Sequence, residues 1–478
     1  MDRNHRQAVV IGAGISGLVC AYRLKTLGVD VALIEKSDRV GGVIQSERIG
    51  DYLIERGPNS SQGTEELMAL VEELGITGEI AEGDPKAPAF VCFNGRLHPV
   101  PAGPAAFIKS GLLSARGKLR ILAEPFVKTR PSEPEESVYS FAHRRIGIEA
   151  AERLVAPFVS GIYAGDARAL SVQAAFPRLA SLETSYGGLI RGAIAKAREA
   201  RRAKTSTADV VANAAPAKRR LVSFRDGMSF LTGTLASRLG EDLMTGCGDS
   251  SVRSAADSEM GESSAPADAR FVVTFNRTGT ARELTCHRLI IATPAGAAAS
   301  IVAPLSEDLS SLLKEISYPP LAIVYLSYDQ VAIRTSLRGF GFLVAPSEGL
   351  NTLGCVWNSS LFKGRAPEGK VLLTVFIGGA RNPDVIRLGD AELVSIAHAE
   401  LQKILGIECE PHAVSITRHE RAIPQYNLGH AARVRSIERL LTEIPGLSLA
   451  CNYLHGVSTG DCIKEGERNA KCEMRNSK

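Results

Sequence analysis

"VVIGAGISGLVCAYRLKTLGVDVALIEK", residues 9–36, decides the fold. The aliphatic run predicts a buried strand over 8–12, the amphipathic stretch a helix over 15–27, and the second apolar run a strand over 31–35. Strand, helix and strand in that order make a βαβ unit with a right-handed crossover. Gly12 permits the tight turn out of the first strand. Gly14 lets the backbone approach a pyrophosphate at the helix N-terminus, Ser16 sits in the first turn, and Gly17 lets the helix pack on the strand. Glu35 stands eighteen residues past Gly17, at the end of the second strand, where its carboxylate can accept both hydroxyls of an adenosine ribose; Lys36 follows it. A lone G-x-G-x-x-G is weak, but strand, helix and distal acid together read as a dinucleotide site.

The continuation, "EKSDRVGGVIQS" (35–46), separates one dinucleotide from another. Arg39, Gly41 and Gly42 place a cation and a second glycine pair just past the ribose acid. That arrangement suits a long dinucleotide kept bound rather than a hydride carrier that comes and goes. With "YLIERGPNS" (52–60), which contributes Gly57, Pro58 and Asn59, the segment resembles the FAD-dependent amine-oxidase and desaturase superfamily.

Within it, "SGIYAGDARALSVQAAFPRL" (160–179), "GFGFLV" (339–344), "VFIGGARNP" (375–383), "IPQYNLGH" (423–430) and "NYLHGVSTGDCI" (452–463) resemble the protoporphyrinogen oxidase family, including its coproporphyrinogen-oxidising bacterial relatives. The resemblance runs from residue 9 to residue 463. It implies FAD as cofactor, with Asn452, Gly460, Asp461 and Ile463 completing its site, a porphyrinogen as substrate and molecular oxygen as acceptor in haem biosynthesis. The flavin carries such chemistry and the protein orients the partners. No side chain is required as a catalytic acid or base, and the sequence displays no Ser-His-Asp set, Cys-His set or metal-ligand cluster.

A flat apolar macrocycle with propionates on its rim calls for an aliphatic slot with a cationic lip. By resemblance, Leu343 and Val356 clamp one face, Phe376 lies by the opposite ring, and the Gly161 carbonyl accepts a pyrrole N–H; ordinary strand core is the competing reading of the apolar three. Family members anchor a propionate with arginine in the stretch matching "NGRLHPVP" (94–101). Here Arg96 and His98 alternate along an extended segment and so share a side, and either can serve. The chain departs from the family at Cys451, where glycine is usual, at His455, Ser458 and Thr459, and in a tail after Ile463 whose apolar residues are Ala470, Cys472 and Met474. That tail predicts a short or frayed closing helix and weaker flavin retention.

A chain of 478 residues is long enough for two or three domains. Its α/β class resolves into a discontinuous Rossmann-like FAD domain (1–85, 221–302, 417–478), a mixed-sheet substrate domain (86–100, 303–416) and a helical, basic subdomain (101–220). Residues 204–218 and 246–269, rich in Ser, Ala and Asp, read as loosely structured, the second also as a long hairpin or insertion. Nine scattered cysteines without a C-x-x-C fit a reducing compartment. With no secretory signal or apolar run of about 18 residues, the expectation is a cytoplasmic protein.

Aromatics are 5% of the chain with a single tryptophan, too few for a nucleic-acid stacking platform. Residues 101–220 hold 20 Lys+Arg against 10 Asp+Glu, a local excess that attracts an anionic partner or covers a solvated face. Phe107, Ile108, Leu112, Leu113, Leu119, Ile121 and Leu122, among Lys109, Arg116, Lys118 and Arg120, read either as a peripheral membrane face or as substrate-access helices packed on the core. An oligomer is compatible with this sequence. The competing functions are an amine oxidase or carotenoid-type desaturase on the same scaffold and, outside catalysis, a flavin-binding redox sensor using Cys451.

Overall fold

The computed structural model describes residues 4–130, 133–206, 220–257, 269–412 and 414–475. Its first sheet is built around His5–Ile11, which pairs in parallel with Val31–Ile34 on one side and Thr280–Ile291 on the other. Leu243–Met244 extends one edge, Phe271–Arg277 and Cys247–Ser254 add an antiparallel wing, and Leu447–Leu449 pairs with Thr280–Ile291. Strand alternation sends Val9 and Ile11 into one core, with Ala298, Leu309 and Ile437, and Ala8 and Val10 into another, with Leu18, Leu231 and Ile463. Both faces are therefore covered, as a largely parallel sheet requires.

The second sheet runs Val414–His419, Leu321–Asp329, Lys370–Gly378, Thr352–Trp357, Gly341–Val344, Ala89–Phe93 and Arg96–Pro99. One face packs on the helix Asp390–Leu405 through Val324, Phe342, Val375 and Leu401. Among the described residues between 104 and 206 the regular elements are all helices, joined by turns and loops. A buried ionic network of Arg145, Glu124 and Glu183, with Arg144 and Glu136, ties those helices together. Glu124 also accepts the backbone N–H groups of Leu189 and Ile190 at the start of the last helix, Leu189–Ser206.

Two local expectations are overturned. The loose segment expected from residue 246 is a strand over Cys247–Ser254 in which Cys247 and Val252 are buried and Asp249 and Ser251 are exposed. Hydrogen bonding to Phe271–Arg277 overrides a poor β composition, and the pair forms the hairpin that was the other reading. Residues 258–268 and 207–218 of the two Ser/Ala-rich stretches lie outside the described residues.

The closing helix is neither short nor frayed: it runs Thr459–Arg475 along the helix Ile15–Thr26. Its seam adds small and polar residues to the buried Cys462, Ile463 and Ala470. A Cβ on Gly466 would sit 2.6 Å from the Ser16 carbonyl oxygen, so only glycine allows this approach. Buried Asn469 donates from Nδ2 to the Leu449 carbonyl at 3.1 Å, and Arg23 pairs with Glu467 at 2.7 Å.

Candidate active site

The glycine loop is shaped by steric need at three positions and left open at one. Gly12 has φ +104°, and a Cβ there would meet the Ala292 carbonyl oxygen at 2.8 Å. A Cβ on Gly17 would collide with the Gly12 carbonyl oxygen, and one on Gly41 (φ +99°) would lie 2.6 Å from that of Ile44. Gly14 differs: it precedes the helix Ile15–Thr26 with an extended backbone (φ −67°, ψ 172°), and a Cβ there meets no protein atom within 4 Å.

The second glycine pair lies against the first. Gly41 donates its N–H to the Ala13 carbonyl at 2.8 Å, and Gly42 lies so close that a Cβ on it would be 3.4 Å from the Gly14 Cα. Arg39 donates from Nη1 to the Gly42 carbonyl at 2.9 Å, bracing that turn, and Lys36 is exposed beside it. Glu35 is fixed at the loop: Oε2 accepts the Ala13 N–H at 2.6 Å, and Oε1 accepts Ser37 N–H at 3.0 Å and Ser37 Oγ at 2.7 Å. A backbone wall at a helix N-terminus beside a carboxylate fits the pyrophosphate and ribose of a dinucleotide.

The remaining expected cofactor residues connect this wall to the second sheet and the closing helix. A Cβ on Gly57 would strike the Val43 carbonyl oxygen, so Gly57-Pro58-Asn59 passes tightly beneath the second glycine turn. Asn59 Oδ1 then accepts from Asn358 Nδ2 at 2.5 Å, at the start of the helix that follows Thr352–Trp357. Gly460 abuts Thr64, and Asp461 Oδ2 accepts Ser458 Oγ at 2.6 Å in the first turn of the closing helix. The Asn452 carbonyl accepts the Tyr426 hydroxyl at 2.6 Å, Ser16 is buried, and Ile463 belongs to the core beneath the loop.

The slot residues stand in register across neighbouring strands. Val91, Leu343, Gly354, Phe376 and Ile323 are successive partners, so they share the sheet face opposite the helix Asp390–Leu405; Val356, two residues along from Gly354, shares it too. The helix Ala156–Tyr163 brings Gly161 so near that a Cβ on it would collide with a Leu343 methyl. Segments distant in sequence meet at the end of this helix: Gln425 Nε2 donates to the Tyr163 carbonyl at 2.8 Å, and Ala380 N–H donates to the Ala164 carbonyl at 2.7 Å.

Arg96 and His98 stand two residues apart on the strand Arg96–Pro99, opposite Phe93 and Val91, so they share a face as alternation requires, and they differ in exposure. His98 pairs with Val91 and so lies in the slot row, half-buried, its Nε2 3.1 Å from the Phe93 carbonyl. Arg96, beside the Asn94-Gly95 turn, is exposed and lines a cavity together with Leu97, which faces the other core. Sequence reading missed Arg153, whose guanidinium lies 4.3 Å over the Phe93 ring beside His98; only the fold brings it there.

It also missed Glu55 and Arg365, a buried pair 3.3 Å apart. Burial pushes the Glu55 carboxyl up to about 7 against the lowering pull of Ser46, Arg365 and the Met228 N–H. Cys451 is buried, and burial pushes its thiol up to about 12, so it is protonated and a poor nucleophile near neutral pH. Burial and a raised pKa weigh against Cys451 as the reactive group of a redox sensor.

Residues 15–472 match the family described as flavin containing amine oxidoreductase. The chain belongs to this family. It is therefore a flavoenzyme, an FAD-dependent oxidoreductase, and the glycine wall with Glu35 is of the kind that holds FAD. A chloroplastic protoporphyrinogen oxidase of Nicotiana tabacum is 34% identical over 95% of this chain and 83% of its own length. A coproporphyrinogen III oxidase of Bacillus subtilis is 28% identical over 98% of this chain and 97% of its own. Among solved structures, a protoporphyrinogen oxidase candidate from Exiguobacterium sp. 255-15 superposes with a TM-score of 0.78 at 23% identity, covering 99% of both chains, which establishes the shared fold.

Proposed function

We propose that this flavoenzyme oxidises a porphyrinogen, protoporphyrinogen IX or coproporphyrinogen III, to the corresponding porphyrin, with molecular oxygen as final acceptor. The observation that carries the reading is the row Leu343, Val356 and Phe376 on one sheet face with Gly161 against Leu343 and His98 at its end. Three apolar side chains and a glycine make a surface suited to a flat macrocycle and ill suited to an amine cation, which needs a carboxylate or an aromatic cage. The names of the relatives, protoporphyrinogen oxidase and coproporphyrinogen III oxidase, point the same way.

Bound FAD supplies the acceptor for the hydride. The protein's part is positional. Gly14 would face the pyrophosphate, with Gly12, Gly17, Gly41, Gly42 and Gly57 allowing the close backbone packing that forms its wall, and Glu35 would take the ribose, with Ser16, Lys36, Arg39, Pro58, Asn59, Asn452, Gly460, Asp461 and Ile463 shaping and closing that site. Leu343, Val356 and Phe376 exclude water from the macrocycle, and the Gly161 carbonyl accepts a pyrrole N–H. His98 takes a rim carboxylate: with Nε2–H donated to the Phe93 carbonyl, Nδ1 can donate to an anion only as imidazolium. Arg153 reinforces that positive end.

A peripheral membrane face belongs to the same proposal. Ile108, Leu119, Leu122 and Phe126 are 70%, 66%, 60% and 85% exposed, near Lys109, Arg116 and Lys118, whereas Leu112 and Leu113 turn inward to the core. Among the described residues no helix is long and apolar enough to cross a membrane. Oxygen uptake by the purified flavoenzyme on addition of either porphyrinogen tests the function; uptake with amines instead would overturn it.

A further inference from the structure

The segment "IPQYNLGH" (423–430) lies outside both the glycine wall and the slot row, yet its Gln425, Tyr426 and His430 are all buried. Its backbone is pinned on two sides. Gln425 N–H donates to the Ser317 carbonyl at 2.9 Å, the Tyr426 carbonyl accepts the Ser171 N–H at 2.8 Å, and Leu428 N–H donates to the Ala169 carbonyl at 2.9 Å. Gln425 Nε2 reaches the Tyr163 carbonyl at 2.8 Å, at the end of the helix Ala156–Tyr163 that brings Gly161 to Leu343. The Tyr426 ring lies 5.9 Å from that of Tyr163 and stacks on His430 at 4.3 Å, with planes 9° apart.

The hydroxyl of Tyr426 reaches the other way. It donates to the Asn452 carbonyl at 2.6 Å and accepts the Gly456 N–H at 2.8 Å, so one oxygen spans both ends of the turn 452–456. Gly456 (φ +150°) is in turn pressed on the closing helix: a Cβ there would lie 2.4 Å from Asp461 Cγ. Asp461 is in the first turn of that helix, and Gly466, further along it, lies against the Ser16 carbonyl behind the glycine wall. A buried hydroxyl that both donates and accepts satisfies two backbone groups whose desolvation is otherwise uncompensated. Tyr426 is held by the helical region through its backbone and ring, and it holds the closing segment through its oxygen.

We propose that Tyr426 is a positioning residue: its hydroxyl fixes the closing segment beside the dinucleotide wall relative to the helix that carries Gly161, and so sets how the slot faces the cofactor. This rests on the porphyrinogen reading of the slot. Both bonds of the hydroxyl are committed to backbone groups, so its part is placement rather than acid–base chemistry. Placement matters because a shift of about 1 Å between reacting groups changes rates by roughly 100-fold.

Tyr426→Phe removes only that oxygen and keeps the ring between Tyr163 and His430. Tyr328→Phe is the control, its hydroxyl lying 2.9 Å from His398 Nδ1 in the core under the helix Asp390–Leu405, on the sheet face away from the slot. Both variants lose one buried hydroxyl and should unfold at similarly lowered temperatures. In the FAD-loaded enzyme, Tyr426→Phe should release FAD about fivefold faster than the parent. Mixed anaerobically with saturating porphyrinogen, it should bleach the flavin about tenfold more slowly, with the half-saturating concentration unchanged within about twofold. Tyr328→Phe should change none of these. Where Tyr426→Phe purifies without flavin, FAD titration of the flavin-free protein reads the same loss as affinity. Tyr426→Phe that releases FAD no faster than Tyr328→Phe, or that bleaches at the parent rate, would overturn the proposal. A parent enzyme that neither porphyrinogen bleaches would sink the activity reading instead, and FAD release alone would then decide the role of Tyr426.

Discussion

Gly14 and Gly17, three residues apart at the start of the helix Ile15–Thr26, should fail in different ways when changed to alanine. At Gly17 the new Cβ falls well under 3.0 Å from the Gly12 carbonyl oxygen and 3.0 Å from the Ala292 Cβ. The obstacle is backbone, so the helix Ile15–Thr26 must lift from the strand His5–Ile11. Overpacking of a core costs about 1–3 kcal/mol, and a contact with rigid backbone belongs at the upper end. At Gly14 the backbone is extended and no protein atom lies within 4 Å of the added methyl, so the fold loses nothing, and surface-like changes stay within about 0.5 kcal/mol. The methyl there obstructs the pyrophosphate instead. If the same overpacking cost of about 1–3 kcal/mol falls on the complex, FAD affinity drops roughly 5- to 150-fold.

The assay pairs thermal unfolding of the flavin-free protein with an FAD titration followed by flavin fluorescence. Gly17→Ala should lower the midpoint of the flavin-free protein by several degrees, and Gly14→Ala should leave it in place while weakening FAD. Gly14→Ala protein that unfolds as early as Gly17→Ala, or binds FAD like the parent, would refute the assignment of this loop.

Leu343→Ala and Phe376→Ala should raise KM and lower turnover with porphyrinogen while the flavin spectrum stays unchanged, and His98→Ala should reduce kcat/KM about tenfold through loss of a charge-assisted bond worth about 1.5–3 kcal/mol; steady-state kinetics check all three. Glu55 favours its proton in the folded state, so its stabilisation is full below the ordinary carboxylate value near 4.3 and is lost as pH rises through about 7, up to about 3 kcal/mol in all. Urea unfolding of Glu55→Gln from pH 4.5 to 8 should lack that part of the decline, whereas Glu55→Ala, which strands buried Arg365, should cost about 3–5 kcal/mol. Leu119→Ser with Leu122→Ser should reduce co-sedimentation with anionic vesicles without changing activity on detergent-dispersed substrate; unchanged co-sedimentation would count against the membrane face.

The strand, glycine turn, helix and acid of residues 9–35 were legible because each rests on local rules: a period of two, a period of 3.6, and glycines where backbones cross. The slot row was legible through resemblance alone, since Leu343, Val356 and Phe376 look like any strand core until pairing aligns them. The closing helix was misread because apolar residues were counted, whereas Gly466 and Asn469 hold the seam by close approach and a buried hydrogen bond. Arg153 and the Glu55–Arg365 pair left no local trace, their partners being 60 or more residues away in the chain. The shared side of Arg96 and His98 was legible from alternation, whereas their different exposure, Arg96 next to the turn and His98 half-buried, depends on the hairpin's place in the sheet.

The central claim, a porphyrinogen oxidised against FAD in this slot, is tested most directly by anaerobic mixing. The FAD-loaded enzyme is combined in turn with protoporphyrinogen IX and coproporphyrinogen III, and flavin absorbance is followed as porphyrin appears. The account predicts bleaching of the flavin band by at least one of them and its recovery when oxygen is admitted. A flavin that stays oxidised with both porphyrinogens, in a protein shown to hold FAD, would contradict it.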